Sequence, residues 1–420
     1  MKTDFDAIVI GAGPAGSAAA ILLACAGWSV ALVEKQRFPR RKVCGECLAA
    51  SNLPLLQNLG IAAAFDAAAG PELRQVAWMC GKGMVVSGLP GAADDQYRWG
   101  RAISRETLDA VLLEQARTAG AHILQPWSIK RIDGSMGDWR CDARDHTSND
   151  TVNLRTPLLI DAHGSWEALN TSHPAPRVQH KGSDLLAFKA NFLGVKLQPG
   201  LLPVLSFEGG YGGMVVSGKN LTTVAGCIRR DRFDALRNAR PGLSAGDTFY
   251  AMLRRECAGV GQALRTAQRE GPWLAAGPLH TGMHVRGDDQ MFRIGNAAGE
   301  AHPIIGEGMS MALQSAWLLC QHLLAAGSRD EDSNIVWQQR VAERYAAQWR
   351  RQFLDRLHLA SVFAHIAMRP ALAAPLLKLA HAWPSVLTWG AVHAGKTRYV
   401  TDGLAQMAPL APIDVLQNSI

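Results

Sequence analysis

The sequence predicts an α/β fold in which a parallel-sheet domain is interleaved with an antiparallel β-sheet domain and followed by a C-terminal helical region. A complete strand, turn, helix and strand occupies residues 7–34. Short alternating apolar runs, typical of antiparallel strands, occupy residues 74–100 and 179–284. From Asn334 onward the apolar spacing is helical, and prolines at 370, 375 and 384 predict short helical pieces. We therefore expect a discontinuous first domain (1–73, 101–178 and 285–330), a sheet domain (74–100 and 179–284) and a helical region (331–420).

The N-terminal unit has the pattern of a dinucleotide-binding turn. A strand over residues 7–10 leads into Gly11-Ala-Gly-Pro-Ala-Gly16, a helix follows over 18–26, and a second strand ends at Glu34. In G-x-G-x-x-G the first glycine permits a tight turn, and the second lets the backbone approach a pyrophosphate at a helix N-terminus. The third glycine lets the helix pack against the strand. This order predicts a Rossmann-like cradle formed by Gly11, Gly13, Pro14, Ala15, Gly16 and Glu34, whose carboxylate would bind ribose hydroxyls.

Further segments carry motifs that strengthen this interpretation. They are Phe38-Pro-Arg-Arg-Lys-Val-Cys-Gly-Glu46, Arg105-Glu-Thr-Leu-Asp109, Leu158-Leu-Ile-Asp-Ala-His-Gly164 and the segment from Phe292 to Ala316. Together with the N-terminal unit they resemble the para-hydroxybenzoate hydroxylase superfamily of FAD-dependent oxidoreductases. Within it, the resemblance is to the branch that holds geranylgeranyl reductases and flavin-dependent halogenases. It extends in patches over residues 5–325.

The resemblance implies FAD as the cofactor and assigns its binding residues. Basic side chains after the second strand would meet the FAD phosphates, and Asn296 replaces the family's ribityl-binding acid. The turn after Pro303 would direct backbone N–H groups and a helix N-terminus toward the flavin ring, which stabilises reduced anionic flavin. Besides the cradle, the implied residues are Lys35, Arg41, Lys42, Cys44, Gly45, Arg105, Asp161, Gly164, Asn296, Pro303, Gly306, Glu307, Gly308 and Met309.

Candidate catalytic residues are His302, Pro303 and Cys44, and candidate substrate contacts are Tyr211, Met214 and His302. His302 could accept a phenolic proton, orient the ligand or have only a structural role. Cys44 has two interpretations, a residue facing the flavin or a small packing residue. Its C-x-x-C spacing with Cys47 lacks the context of a thioredoxin-like redox pair. Glu300 and Glu307 are weaker candidates.

The resemblance favours an FAD-dependent monooxygenase that hydroxylates an electron-rich aromatic substrate, phenolic or indolic, through a flavin C4a-hydroperoxide formed with O₂. The ring could belong to a bulky small molecule or to a peptide. Since the sequence has no second G-x-G-x-x-G, NAD(P)H would visit the flavin transiently, or a partner would supply electrons. The alternative is a geranylgeranyl-reductase-like enzyme that saturates alkenes. A halogenase, whose Trp-x-Trp-x-Ile-Pro element is missing here, and a non-catalytic flavoprotein are further alternatives.

Composition limits the other classes of function. The 420 residues carry a formal charge of +7, but no motif that reads nucleic acid accompanies the basic residues. The eight scattered cysteines lack zinc-module spacing, so we expect reduced thiols and no metal. Without a signal segment or an apolar run of spanning length, we expect a cytoplasmic protein. The apolar C-terminal helices would pack on the core, cover a greasy substrate or contact a membrane surface. The sequence leaves the oligomeric state open.

Overall fold

The computed structural model describes residues 2–93, 96–165, 180–287, 289–325 and 334–400. The segments at 166–179, 326–333 and 401–420 lie outside these described residues, and the first two include the expected domain boundaries at 178/179 and 330/331.

The strands lie throughout the first three quarters of the chain. They are β1 (Ala7–Ile10), β2 (Val30–Val33), β3 (Cys47–Leu48), β4 (Gln75–Cys80), β5 (Gly83–Gly88), β6 (Arg101–Ala102), β7 (His122–Leu124), β8 (Trp127–Ser135), β9 (Asp138–Asp145), β10 (Thr151–Thr156), β11 (Leu158–Asp161), β12 (Leu185–Leu193), β13 (Leu201–Phe207), β14 (Gly210–Gly218), β15 (Leu221–Arg229), β16 (Gln268–Ala276), β17 (Gly282–Met283), β18 (Phe292–Arg293) and β19 (Gly299–Glu300).

The helices connect these strands and form the C-terminal region. They are α1 (Pro14–Cys25), α2 (Leu53–Asn58), α3 (Ala62–Ala68), α4 (Arg105–Thr118), α5 (Arg230–Asn238), α6 (Ala245–Glu256), α7 (Ala258–Ala263), α8 (Gly308–Ala325), α9 (Asn334–Ala367), α10 (Pro370–Ala382) and α11 (Ser385–His393). A 3₁₀ turn over Pro303–Ile305 precedes α8.

A parallel sheet of order β18-β11-β1-β2-β7 supports the cofactor-binding end of the molecule. Its central strands β1 and β2 are buried throughout, as expected where helices cover a parallel sheet. Ile10 pairs with both Val33 and Asp161, so the carboxyl ends of three strands meet at one edge. Helix α1 begins at that edge with Pro14 at its first position, where the missing N–H costs little. This edge is where α/β sheets bind ligands.

The second large sheet has seven strands in the order β16-β12-β15-β14-β13-β4-β5. Its pairs are antiparallel except that β13 pairs with β4 in parallel, with Leu201 opposite Gln75. The expectation of a purely antiparallel sheet is therefore wrong at this pair. The chain between β4 and β13 crosses through the other domain, so no hairpin constrains their relative direction. Helices α5, α6 and α7 pack on one face of this sheet around Phe188 and Phe249.

The C-terminal region differs from the predicted short pieces. Helix α9 is continuous over 34 residues, because no proline occurs between residues 334 and 369. Pro370 begins α10 and Pro384 caps α11, whereas Pro375 lies inside α10. No single helix among the described residues is long and apolar enough to span a membrane; α9 and α10 meet that length and composition only jointly, across a bend of 104°.

Candidate active site

A cavity of about 590 Å³ extends from the N-terminus of α1 to the C-terminal helices. At one end its wall is formed by the α1 turn, by residues 42–47 and by the turns around Asn296 and Gly306. Strands β4 and β12–β15 form the next part, with largely apolar side chains. Helices α9, α10 and α11 complete the far end. The cavity thus joins all three regions of the chain.

The glycine turn leaves no room for side chains. A Cβ on Gly11, whose φ is +101°, would lie 2.6 Å from the Ala162 carbonyl oxygen, and one on Gly16 would lie 1.8 Å from the oxygen of Gly11. Gly13, Pro14 and Ala15 line the cavity, so the N-terminus of α1 faces it. Bare backbone N–H groups at a helix N-terminus are suited to bind a pyrophosphate.

Among the residues predicted to bind the cofactor, three that follow β2 lie outside the cavity wall. Glu34 is buried behind the turn, where its two carboxylate oxygens accept hydrogen bonds from the backbone N–H groups of Ala12 (3.0 Å) and Gln36 (2.9 Å). Lys35 is exposed. Arg41 donates to Glu106 (3.1 Å) and to the Glu270 carbonyl (2.9 Å), which ties residues 38–42 to the second sheet.

Two other cations do line the cavity beside the α1 turn. Arg105 donates two hydrogen bonds of 2.7 Å to Asp109, and its Nη2 lies 3.7 Å from the Cβ position of Gly13. Burial, together with the nearby positive charges of Arg105 and Arg40, lowers the pKa of Lys42 to about 8. A cluster of positive charge at a helix N-terminus is suited to hold a diphosphate.

The segment that follows Lys42 is fixed by an interaction that sequence reasoning missed. Glu46 is buried at φ +59° and accepts a hydrogen bond from the Arg105 backbone N–H (2.8 Å). The same carboxylate contacts Lys189 and Thr223, both buried in the second sheet. Cys44 and Gly45 line the cavity directly before it, and burial raises the pKa of the Cys47 thiol to about 12. The one sequence feature that could have indicated this contact is the single lysine within the largely apolar strand β12.

At the end of β11, Asp161 does not line the cavity. Its Oδ1 accepts from the His163 backbone N–H (3.2 Å), and its Oδ2 lies 3.8 Å from Nε of Arg293. Gly164 follows in the wall at φ +94°, which only glycine adopts readily.

Asn296 lines the cavity and donates to Ser165 (2.7 Å) and to Oε1 of Glu300 (3.2 Å). Glu300 is buried in the same wall, and burial raises the pKa of its carboxyl. Its Oε2 is buried with no hydrogen-bond partner among the described residues. The structure thus brings a carboxylate to the place where the family's acid is replaced by an amide.

The turn at 303–309 reverses the chain into α8. Pro303, Gly306, Gly308 and Met309 line the cavity, and Gly306 is left-handed at φ +63°. Glu307 is fully buried, and its Oε1 lies 2.7 Å from Nζ of Lys396, a residue of the C-terminal region that also lines the cavity.

Tyr211 and Met214 are buried on β14 and line the cavity, whereas His302 lies outside the wall. The Tyr211 hydroxyl lies 3.0 Å from Nδ1 of His302 and can donate to it. Burial raises the pKa of Tyr211 well above its ordinary value and lowers that of His302. The pair is therefore neutral near pH 7, and Tyr211 connects the imidazole to the cavity.

These features fit FAD. The wall offers a helix N-terminus free of side chains, the buried Arg105 and the half-buried Lys42 for a diphosphate, and a buried carboxylate oxygen for a hydroxyl donor. Among the described residues, no group of three metal-ligating side chains is arranged to hold a metal ion.

Comparisons with known proteins agree with the geometry. A model of the FAD binding domain family matches residues 4–350. Menaquinone reductase of Mycolicibacterium smegmatis is 29% identical over 362 residues, which are 82% of each chain. The solved structure of a myxobacterial chondrochloren halogenase is 20% identical with a TM-score of 0.74, over 98% of this chain and 94% of the other. A geranylgeranyl bacteriochlorophyll reductase-like protein of Thermoplasma acidophilum is 18% identical with a TM-score of 0.66, over 93% and 99%. The likeness confirms the predicted α/β fold.

Proposed function

The chain belongs to the FAD binding domain family of FAD-dependent oxidoreductases, and from that premise we propose that it is a monooxygenase that hydroxylates an electron-rich aromatic ring on an apolar substrate. The predictions of an FAD cofactor, of an oxidoreductase and of the para-hydroxybenzoate hydroxylase-like superfamily are confirmed by the family match and the structural likeness. The hydroxylation itself is the proposal.

The observation that carries it is the contact between Tyr211 and His302. A phenol becomes a better nucleophile when its proton is removed, and a buried group must receive that proton. The Tyr211 oxygen can accept the substrate's phenolic proton while its own proton passes to Nδ1 of His302, 3.0 Å away. Because burial lowers the pKa of His302, the imidazole is neutral at pH 7, and in the tautomer that carries its proton on Nε2 its Nδ1 can accept.

The cavity walls support a substrate whose ring carries an apolar extension. Charged groups such as Lys42, Arg105 and Glu300 gather at the cofactor end, whereas Trp78, Phe188 and other apolar side chains form the walls beyond it. Such walls exclude water from the reacting end and bind hydrocarbon by burial. They offer few partners for a peptide backbone, so we favour a lipid-sized small molecule over a peptide-borne ring.

When bound, FAD would pass electrons to O₂ and provide the site at which O₂ is activated. NAD(P)H is the proposed source of those electrons. The residues of this chain bind and orient. Lys42, Arg105 and the N-terminus of α1 would hold the diphosphate, and Glu300 with Asn296 would hold ribityl hydroxyls. The turn at Gly306, with Lys396 behind it, would place positive charge beside the flavin ring.

The test measures the fate of oxygen. Holoenzyme with NADH or NADPH is supplied with ¹⁸O₂ and with phenol, 4-hexylphenol or 4-dodecylphenol, and products are analysed by mass spectrometry. We expect one ¹⁸O atom in the ring product, the other leaving as water, and turnover that improves with chain length. Flavin reoxidation with no labelled product from any of the three probes would contradict the proposal.

A second candidate is the reduction of a prenylated quinone or its alkene chain, and the relative named menaquinone reductase favours it. The apolar cavity would accept such a substrate equally well. The two candidates differ in their need for oxygen. Under strict anaerobiosis, reduced enzyme mixed with menaquinone should yield a product whose prenyl chain has gained two hydrogens if it is this reductase, and should leave that chain unchanged if it is the monooxygenase; mass spectrometry distinguishes the two.

A further inference from the structure

Helix α10 presents apolar side chains on two adjacent sides. Ala373, Leu377 and Ala380 are buried, with Leu377 and Ala380 against Val85 of β5. Leu372, Leu376 and Leu379 recur at helical spacing on the neighbouring side and are exposed, Leu379 to 51%. The second stripe has no covering element among the described residues.

The next helix extends this exposed surface. Trp383, which directly follows α10, is 64% exposed, and Trp389 on α11 is 53% exposed. Val386 and Val392 lie on α11 beside Trp389 and are also exposed. We call Leu372, Leu376, Leu379, Trp383, Val386, Trp389 and Val392 the apolar face. A folded chain rarely leaves so many large apolar side chains together in water without a use for them.

The charged side chains of the segment that carries the apolar face have one sign. Between Arg356 and Val400 the sequence contains no Asp or Glu, while Arg369 and Lys378 are exposed on or beside α10. A second copy of this chain would bring the same cations to the contact, with no acid from this segment to oppose them. A bilayer with anionic headgroups offers both hydrocarbon and the opposite charge.

The apolar face is continuous with the cavity. Leu376, Leu379, Trp383, Val386 and Trp389 are exposed and also line the cavity, so they form its mouth. A hydrocarbon chain that left a membrane at this point would pass from lipid to apolar wall without crossing water.

We propose that α10 and α11 dock the enzyme on the surface of an anionic lipid bilayer, with the apolar face in the headgroup region and the cavity mouth open to the lipid. The helices lie on the membrane and do not cross it. The evidence for docking is the exposed apolar residues and the charge of the segment. The entry of substrate from the lipid is a separate inference, and it rests on the proposed function.

The experiment is vesicle sedimentation of the full-length holoenzyme, with flavin absorbance reporting the bound protein. Vesicles of phosphatidylcholine alone are compared with vesicles containing phosphatidylglycerol. The variants are the double change Leu379→Ser with Trp383→Ser, the charge reversal Lys378→Glu, and the control Leu243→Ser, which removes a leucine of similar exposure before α6.

We expect binding to phosphatidylglycerol vesicles to be at least tenfold tighter than to phosphatidylcholine. The double variant should lose at least tenfold in affinity, Lys378→Glu should lose severalfold on anionic vesicles only, and Leu243→Ser should match the parent protein. Equal binding by the double variant and the parent, or no binding by the parent, would overturn the proposal. Vesicle binding by an enzyme that hydroxylates none of the phenols would refute the proposed function and leave docking intact.

Discussion

Nζ of Lys396 lies 2.7 Å from the buried Oε1 of Glu307, so the C-terminal region supplies the counter-charge for the turn that is proposed to face the flavin. Lys396 also donates to the Gly306 carbonyl (3.4 Å). The buried Arg356 guanidinium adds positive charge near the same carboxylate. The family match ends at residue 350, so both Lys396 and Arg356 lie beyond it.

Replacing Lys396 with Met should destabilise the protein by about 3 kcal/mol, because it leaves the Glu307 carboxylate buried without its nearest cation. The local charge also becomes more negative, so the reduction potential of bound FAD should fall. Urea unfolding and dye-coupled reduction measure the two effects. Adding Glu307→Gln should restore most of the stability; a double variant as unstable as the sum of the single changes would argue against direct pairing.

FAD binding should take up protons near pH 8 to 9. Lys42 has a folded pKa lowered to about 8, so in the apoprotein it is partly neutral in this range, and a bound diphosphate favours its charged form. FAD affinity should therefore decrease as pH rises through 8. Calorimetry in buffers of different ionisation enthalpy measures the uptake. Lys42→Met should abolish it, whereas Lys35→Met, at an exposed position, should retain it.

The same pKa sets the sign of a stability change in the apoprotein. An unfolded lysine has a pKa of about 10.4 and so binds more protons than buried Lys42 between pH 8 and 10. The contribution of Lys42 to folding stability should thus improve as pH rises through this window. A Lys42→Met variant whose stability follows the parent's slope there would contradict the assignment.

Glu300→Gln should weaken FAD binding about tenfold, equivalent to about 1.4 kcal/mol, because a charged hydrogen-bond acceptor is lost from the wall. Fluorescence quenching of FAD by the apoprotein measures the affinity. Glu114→Gln removes an exposed carboxylate from α4 and serves as the control. Unchanged affinity in Glu300→Gln would place the ribityl contact elsewhere.

Tyr211→Phe should lower kcat for phenol hydroxylation about 100-fold, with FAD still bound, because the proton acceptor for the phenol is removed. The low-pH limb of the rate profile should shift in His302→Asn, since His302 acts through Tyr211. Tyr250→Phe, on α6 and outside the cavity, should behave like the parent. A Tyr211→Phe enzyme with the parent's pH profile would exclude the proton path.

The cradle could be predicted because its residues are consecutive. Gly11 to Gly16 meet across one turn, so spacing alone fixes their geometry. Glu46 and Lys189 are 143 positions apart and meet only because the tertiary fold brings β12 against Glu46. No local pattern encodes that contact. The parallel pairing of β13 with β4 was missed for the same reason.

The direction in which a side chain points was the other feature that the sequence could not predict. His302 precedes Pro303 in sequence, yet the structure directs its ring toward Tyr211 and not into the cavity. Glu34 turns back to the N–H of Ala12. Helical spacing identified the C-terminal leucines as apolar but not which of them are exposed, since that depends on where α10 meets β5.

The pairing of Lys396 with Glu307 also orders events during synthesis. The cradle at residues 11–16 is translated before Glu307, but the counter-charge for Glu307 is translated only after α9, α10 and α11. A nascent or prematurely terminated polypeptide therefore carries a complete dinucleotide motif beside a turn at 303–309 that lacks its counter-charge. The turn at 303–309 therefore reaches its final charge balance only in a chain that includes the C-terminal region.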